Sequence, residues 1–435
     1  MTNIRPFQIA LLGIFVFLAI LALILVKTYS PSIKKANYTY GDQVVIWGTL
    51  NPSVMGNIFD KISIDSPDFN VVKYQYIDER SFDDVFVNAV AEGRSPDLII
   101  LKADSLVKHR AKLTPIPYTS LSERAFRDTY IDGAEIFMMV NGVYAIPFAI
   151  DPLIMYWNRD LFATGGIATA PSNWETLLSK VVPSLTIRDT SRNIIQSAVA
   201  MGEFSNIDNA KAILMSLAMQ SGSKLVTQDE KGYEVMMNYA DSSSARPPVM
   251  ASLDFFTRFS DTASPLYTWN RAQASSKNAF IAEDLAIYFG FGSEVRDIAD
   301  KNPNLNFDVS TIPQGSSATV FRTYGDFYGF AIPTAATNKQ GAYAAALTLA
   351  SEQYAPALVQ SLNMASPLRT ALTIEDVSPY RQVITKAALV ARGWLDPNPK
   401  ISNEIFATMV EDVVSGRSRV DNAVSDAIRK LTFEY

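Results

Sequence analysis

Residues 144–162 read YAIPFAIDPLIMYWNRDLF, in which short apolar runs are broken by polar residues. Apolar runs of this length, bounded by turn signals, are typical of buried strands. We therefore predict two strands, at residues 143–148 and 153–157. The four residues between them, 149–152, include Asp151 followed by a proline. An acidic residue is thus expected where one buried strand gives way to the next.

The elements on either side of this stretch predict an α/β fold. Further strands are predicted at residues 44–47, 71–76, 97–101, 285–289, 307–312 and 327–332. A helix is predicted at 81–92, between two of them, and helical patterns dominate after residue 157. Strand–helix–strand order is typical of parallel strands covered by helices. A length of 435 residues favours two lobes or two domains.

The composition excludes several classes of protein. Hydrophobic residues make up 48% and charged residues 19%, which rules out a disordered chain, a collagen-like fibre and a long coiled coil. The chain has no cysteine, so disulfides, thiolate nucleophiles and cysteine metal sites are absent. The one histidine, His109, lies between Lys108 and Arg110 and is predicted to be solvated. We expect no metal site and no cofactor.

Charge is divided unevenly along the chain. The first 41 residues contain no acid and four bases, Arg5, Lys27, Lys34 and Lys35. The remaining 34 of the 38 bases face 44 acids, which leaves residues 42–435 with a net charge of −10. An acidic body argues against binding to nucleic acid.

The N-terminal segment predicts a membrane anchor. Residues 7–26 are apolar except for Gln8, and a helix of this length spans ~30 Å, the thickness of a bilayer core. No A-x-A-like cleavage site follows, although a cleaved signal peptide remains the alternative. We predict a cytoplasmic tail at 1–6, a single transmembrane signal anchor at 7–26 and a linker at 27–41. Flanking bases do not set the orientation, and a short tail before a large body places that body outside the cell.

Three groups of residues carry a resemblance to a known family. They are YAIPFAID (144–151) with MYWNRDLF (155–162) and PSNW (171–174), AFIAEDLAIYFG (279–290), and SPLR (366–369) with the helical hairpin around SGR (415–417). Their order and spacing resemble family 1 extracellular solute-binding proteins, the receptors of ATP-binding-cassette (ABC) sugar importers, related to maltose-binding protein. Glu283 stands where the family usually has glycine.

The resemblance implies a periplasmic-binding-protein-like clamp of two lobes joined by three hinge crossovers. Lobe 1 would comprise residues 42–152 and 325–380, and lobe 2 residues 153–324 and 381–435. Ligand would bind in the cleft, and the closed form would dock on the permease subunits of an importer.

Candidate ligand-binding residues follow from the same resemblance and from polar or aromatic side chains near strand ends. They are Trp47, Thr49, Asn51, Asp104, Asp151, Phe291, Ser293, Tyr324, Asp326 and Tyr328. A structural role remains open for several: Trp47 and Phe291 as core residues, Asp104 as a helix N-cap and Asp151 as a turn residue.

The predicted function is that of a membrane-anchored receptor for a carbohydrate or similar polyhydroxy ligand, and not that of an enzyme. No P-loop, nucleophile elbow or complete dinucleotide fingerprint is present. Two alternatives remain: an envelope scaffold or adhesin with the same fold, and a tethered glycosidase that uses carboxylates. The acidic body suits either a neutral sugar or a cation as ligand.

Overall fold

The computed structural model describes residues 39–229, 232–239, 246–373 and 378–435. The predicted tail, the predicted anchor and residues 27–38 of the predicted linker lie outside the described residues. Within those four ranges, no helix combines the length and the apolar character needed to cross a bilayer.

Short strands and helices alternate along the described chain. The strands are β1 (Val44–Gly48), β2 (Val72–Tyr76), β3 (Leu98–Lys102), β4 (Met138–Met139), β5 (Gly142–Val143), β6 (Ile146–Asn158), β7 (Ile187–Arg188), β8 (Ile194–Val199), β9 (Val226–Asp229), β10 (Gly232–Val235), β11 (Leu285–Phe291), β12 (Phe307–Thr311), β13 (Thr323–Ala331) and β14 (Ala391–Arg392). The predicted strands that became β1, β2, β3, β11 and β12 are confirmed, with ends that differ by at most two residues.

Helices cover the strands. They are α1 (Pro52–Asp65), α2 (Phe82–Ala91), α3 (Leu106–His109), α4 (Glu123–Thr129), α5 (Arg159–Thr164), α6 (Trp174–Thr176), α7 (Val182–Leu185), α8 (Ala210–Gln220), α9 (Pro248–Thr257), α10 (Ser276–Ile281), α11 (Val295–Lys301), α12 (Lys339–Leu349), α13 (Ala355–Ser361), α14 (Pro379–Val390), α15 (Pro399–Val414) and α16 (Val420–Glu434). A π-helical turn at Leu177–Val181 joins α6 to α7, and short 3₁₀ turns lie at Pro67–Val71, Ala103–Ser105, Arg110–Lys112, Asp132–Phe137, Gly292–Glu294 and Ala371–Thr373.

Two long strands join the two lobes of the α/β fold. The strands run in the order β2-β1-β3-β13-β6-β11-β8-β7, with β12 also paired to β6 and β14 to β13. β1, β2 and β3 are parallel, whereas β13 runs antiparallel to both β3 and β6. The first half of β6 pairs with β13, and its second half pairs with β11 and β12. β6 and β13 therefore each pass from one lobe into the other.

The prediction of two strands separated at 149–152 is wrong, because β6 is one continuous strand through Asp151 and Pro152. Every residue of β6 except Trp157 is buried, as in a strand covered on both faces. Pro152 lacks an N–H, and it lies where β6 changes its neighbours from β13 to β11 and β12. The missing donor thus falls at the last pair of one ladder, directly before the next ladder begins, and does not end the strand.

A third connection follows late in the chain. α13 packs on α1 beside β1 and β2, whereas α14 packs on β6 and β12 of the other lobe. The chain therefore returns to the second lobe after Ser361, in addition to the passages along β6 and β13.

The prediction that His109 is solvated is wrong. Its ring is 1% exposed, and Nε2 lies 2.7 Å from Asp83 Oδ1. Phe86 packs edge-on against the imidazole at 5.3 Å. The sequence did not indicate this burial, because both neighbours of His109 are charged. In the structure α3 is only one turn long and directs His109 towards α2, where Lys108 also pairs with Asp83.

Gly341→Ala should destabilise the protein by ~1–3 kcal/mol, the usual cost of forcing atoms into a packed site. A Cβ at Gly341, in the first turn of α12, would collide with the Tyr40 carbonyl oxygen and with Asn338. Asn338 caps α12 by accepting from Gly341 N at 2.9 Å and donates to that same Tyr40 oxygen at 2.8 Å. Urea unfolding of the variant measures the loss.

Gly56→Ala, in α1, is the matched control for this substitution. A Cβ at Gly56 would meet open space, and alanine favours a helix over glycine by roughly 0.5–1 kcal/mol. The two alanine substitutions should therefore shift the urea midpoint in opposite directions. Equal midpoints would show that the contact between Tyr40 and α12 contributes nothing.

Candidate functional site

A cluster of polar side chains lies where β3 ends beside the two strands that join the lobes. In the ladder, Tyr328 of β13 is opposite Lys102 of β3, and Asp326 is opposite Asp151 of β6. Ladder partners share a face of the sheet, and alternate residues of a strand do so too. Tyr324, Asp326 and Tyr328 therefore point to the same side as Lys102 and Asp151. We call Lys102, Asp104, Asp151, Tyr324, Asp326 and Tyr328 the hinge cluster.

Lys102 links two buried carboxylates of the hinge cluster. Its Nζ lies 3.2 Å from Asp104 Oδ2 and 3.1 Å from Asp326 Oδ2. Asp104 and Asp326 are only 9% and 8% exposed. Burial lowers the pKa of Lys102, but the two carboxylates outweigh burial and hold that pKa well above its usual value. Burial also raises the pKa of Asp326, against the attraction of Lys102.

Asp104 does not act as the N-cap of a helix. It lies in the 3₁₀ turn Ala103–Ser105, and Ser105 is the N-cap residue of α3. The Ser105 hydroxyl donates to Asp104 Oδ1 at 3.1 Å, while the other carboxylate oxygen pairs with Lys102. The sequence was compatible with Asp104 as a helix N-cap. The structure instead places Asp104 in a charged cluster with Lys102.

Asp151 connects the hinge cluster to the second lobe. It is 3% exposed, and its Oδ1 accepts from Ser293 N at 3.0 Å. Burial raises the pKa of Asp151 to about 8; the hydrogen bonds from Ser293 oppose this shift, and the charges of Asp326 and Glu294 add to it. Asp151 is therefore mainly protonated at neutral pH and can both donate and accept a hydrogen bond.

Aromatic rings border the cluster. Phe291, at the end of β11, meets Tyr324 edge-on with ring centroids 6.2 Å apart. Phe148 of β6 lies 6.5 Å from Tyr328 but is fully buried, so it supports that ring and offers no face to a ligand. Phe291 is half-buried, and its carbonyl oxygen accepts from the Tyr156 hydroxyl at 2.5 Å. Apolar faces beside carboxylates are the chemistry that carbohydrate rings and hydroxyls require.

Glu294 fixes the turn that carries Phe291 and Ser293. Its Oε1 accepts from Phe291 N at 2.7 Å, and its Oε2 accepts from the Tyr288 hydroxyl at 2.8 Å. Lys277 balances the charge at 3.0 Å. This network holds the start of the 3₁₀ turn Gly292–Glu294 against Asp151.

Three predicted site residues are not brought into the cluster. Trp47 is opposite Ile99 in the ladder, three residues before Lys102, so its side chain lies on the other face of the sheet. Its Nε1 donates to Gln75 at 3.0 Å. Asn51 caps α1 by accepting from Ser53 N. Thr49 is half-buried between them. A ligand role for Trp47, Thr49 and Asn51 stays a prediction.

Sequence reasoning missed Lys102 and Glu294. Lys102 follows a predicted strand and precedes Asp104 by two residues, so its place at a strand end was an available signal. Glu294 is three residues after Phe291, the spacing of a capping box. A nearby buried pair, Lys211 and Asp396 at 2.8 Å, is separated by 185 residues and leaves no local signal.

Two cavities lie away from the cluster. One of about 370 Å³ is lined by residues that include Trp157, Arg159 and Ile167. Another of about 200 Å³ lies between the 3₁₀ turn Asp132–Phe137 and Trp394, and Lys224 and Arg392 also line it. Neither is lined by a predicted site residue. In the described part of the chain, no group of three or more His, Asp or Glu side chains is placed to hold a metal ion.

Comparisons with known proteins agree with this architecture. A family model described as "Bacterial extracellular solute-binding protein" matches residues 66–356. No curated protein matches the chain.

The cyclic α-maltosyl-1,6-maltose binding protein from Arthrobacter globiformis has a TM-score of 0.73 at 14% identity, over 91% of this chain and 99% of that one. A cyclo/maltodextrin-binding protein complexed with maltotetraose has a TM-score of 0.72 at 14% identity, over 90% and 97%. An ABC transporter solute-binding protein from Thermotoga lettingae, bound with α-D-tagatose, has a TM-score of 0.67 at 18% identity, over 91% and 100%.

Identities this low establish a shared fold only. The family model, in contrast, covers most of the chain. The chain therefore belongs to the bacterial extracellular solute-binding proteins.

Proposed function

We propose that this protein binds a carbohydrate or a similar polyhydroxy ligand between its lobes and delivers it to the permease subunits of an ABC importer. The observation that carries the proposal is the hinge cluster: carboxyl groups of Asp104, Asp151 and Asp326 lie beside the rings of Phe291 and Tyr324, at the junction of the lobes. Relatives of the same fold hold maltotetraose and tagatose.

The proposal includes the lobe boundaries and the membrane anchor. Residues 42–152 and 325–380 form lobe 1, and residues 153–324 and 381–435 form lobe 2. Residues 7–26 hold the body at the cell membrane on the extracytoplasmic side, behind a tail at 1–6 and a linker at 27–41. The family's extracellular character and the apolar run of 7–26 support this placement.

The chemistry of the cluster favours hydroxyl groups. Hydrogen bonds to charged groups contribute ~1.5–3 kcal/mol each, so two or three of them orient a polyol. A protonated Asp151 adds a donor, which a ring oxygen or hydroxyl accepts. Aromatic faces cover the apolar C–H surface of a sugar ring.

The test is a panel of malto-oligosaccharides, manno-oligosaccharides and tagatose, measured by thermal shift and calorimetry. We expect at least one to raise the melting temperature without any product appearing on chromatography. Tyr324→Ala should weaken that binding by about tenfold or more, since an aromatic contact and its buried area are lost. Tyr239→Ala is the matched control, because Tyr239 is 56% exposed and outside the cluster.

An envelope scaffold of the same fold is the second candidate. The observation that favours it is that Lys102 already occupies the carboxylates of Asp104 and Asp326. A scaffold would respond to no sugar in the panel, and Tyr324→Ala would then alter stability alone. Release of a shortened glycan, lost on neutralising one carboxylate, would instead support a glycosidase.

A further inference from the structure

We infer that Lys102 determines ligand specificity: its ammonium group is the resident cation of a site framed by Asp104 and Asp326, so the cleft rejects cationic ligands and accepts neutral ones. This deepens the proposed function and rests on it for the identity of the neutral ligand. The position of Lys102 between Asp104 and Asp326 does not depend on which neutral ligand binds.

The contacts of Lys102 are those of a bound ammonium ion. An ammonium group has three N–H donors. Among the described residues, two oxygens hold Nζ, at 3.2 Å and 3.1 Å, one from the turn after β3 and one from β13. The side chain is 28% exposed. One donor therefore remains for an oxygen atom of a ligand that enters from the cleft.

Two of the other acids that interact with the cluster are paired with a lysine, and a further acid, Glu79, acts on Tyr328 as a single carboxylate. Asp396 is held by Lys211 at 2.8 Å, and Glu294 by Lys277 at 3.0 Å. Asp151 is buried beside Ser293 and retains its proton at neutral pH. A second cation would meet the repulsion of Lys102 and no vacant carboxylate pair, since Lys102 is shared by Asp104 and Asp326. The site as built thus suits an uncharged ligand.

Truncation of Lys102 tests this directly. Lys102→Ala removes the atoms of an n-propylammonium ion and leaves the carboxylates of Asp104 and Asp326 in place. We expect the variant to melt several degrees lower than the wild type and to regain stability with n-propylammonium in a saturable manner. Neutral n-propanol should not restore it.

Two further variants isolate the site. Lys102→Met keeps most of the volume without the charge, so it should be destabilised yet insensitive to n-propylammonium. Lys102→Ala combined with Asp326→Asn should bind n-propylammonium about tenfold or more weakly than Lys102→Ala alone, because one of the two carboxylates is gone. A folded Lys102→Ala that gives no saturable response would overturn the inference.

The wild-type protein provides a readout that does not depend on the variant folding. Calorimetry with n-propylammonium and with spermidine should detect no binding. Binding that is lost in Asp326→Asn would contradict the inference. If no sugar of the panel binds but n-propylammonium rescues Lys102→Ala, the proposed ligand class is rejected and the role of Lys102 as resident cation is retained. If a sugar binds but n-propylammonium does not rescue the variant, the ligand class is retained and the role of Lys102 is rejected.

Discussion

Asp151→Asn should become progressively more stable than the wild type as the pH rises from about 4 to about 8. Burial raises the pKa of Asp151 to about 8 in the folded protein, from the 3.8 of an ordinary aspartate side chain. Between those values the unfolded chain has released the proton and the folded chain retains it. The contribution of Asp151 to the free energy of unfolding is therefore complete below about pH 4 and decreases until about pH 8.

The slope gives the size of this effect. One proton held only by the folded state changes the unfolding free energy by at most ~1.4 kcal/mol per pH unit. Asparagine does not titrate and keeps a carbonyl oxygen for Ser293 N, so the variant lacks this loss. Urea unfolding of both proteins across the pH range measures the difference.

Asp60→Asn, at an exposed position of α1, is the control and should show no trend. A constant difference between Asp151→Asn and wild type would contradict the account.

Lys211→Met should lower the unfolding free energy by ~3–5 kcal/mol, because it leaves a buried carboxylate without its cation. Asp396 is 0% exposed and lies 2.8 Å from Lys211 Nζ. Ser402 Oγ donates to the same Asp396 oxygen at 2.6 Å, and Asn398 N donates to the other at 3.0 Å. These two bonds do not replace the lost charge. Urea unfolding at pH 7 measures the change.

The matched control is Lys301→Met. Lys301 pairs with Asp297 one helical turn away in α11, where both side chains are about half exposed. Exposed pairs of this spacing contribute only ~0.3–0.5 kcal/mol. Asp396→Asn combined with Lys211→Met should recover part of the loss, because no buried charge then remains. Equal effects of the two lysine substitutions would show that the Lys211–Asp396 pair is not the buried contact described above.

Much of the fold follows from the sequence because burial leaves a local pattern. β1 and β3 are short apolar runs, and each ends at a break that a strand end requires. β6 was misjudged because Asp151 and Pro152 signal a turn in any local window. Only the exchange of neighbours at Pro152, between strands that are more than 130 residues away in sequence, makes a continuous strand possible.

Part of the candidate site could be predicted from polar residues near predicted strand ends and from the family resemblance. Asp104 follows a predicted strand, whereas Asp151, Tyr324 and Asp326 were predicted at the lobe crossings that the family resemblance implies, and all four belong to the hinge cluster. Lys102 was overlooked because a lysine after a strand usually reaches solvent, and its role depends on Asp326, 224 positions later. Trp47 was placed by resemblance, and strand alternation puts it on the other face from Lys102.

Closure of the two lobes on a ligand is measurable by the distance between two spin labels. The chain has no cysteine, so Asn57→Cys in α1 and Asp300→Cys in α11, both at exposed positions, can be labelled selectively. We expect double electron–electron resonance to show a shorter distance when the best oligosaccharide of the panel is added. The Tyr324→Ala background should need a concentration of the same sugar that is about tenfold or more higher for the same change. An unchanged distance at a sugar concentration that saturates binding would contradict the hinged-lobe account.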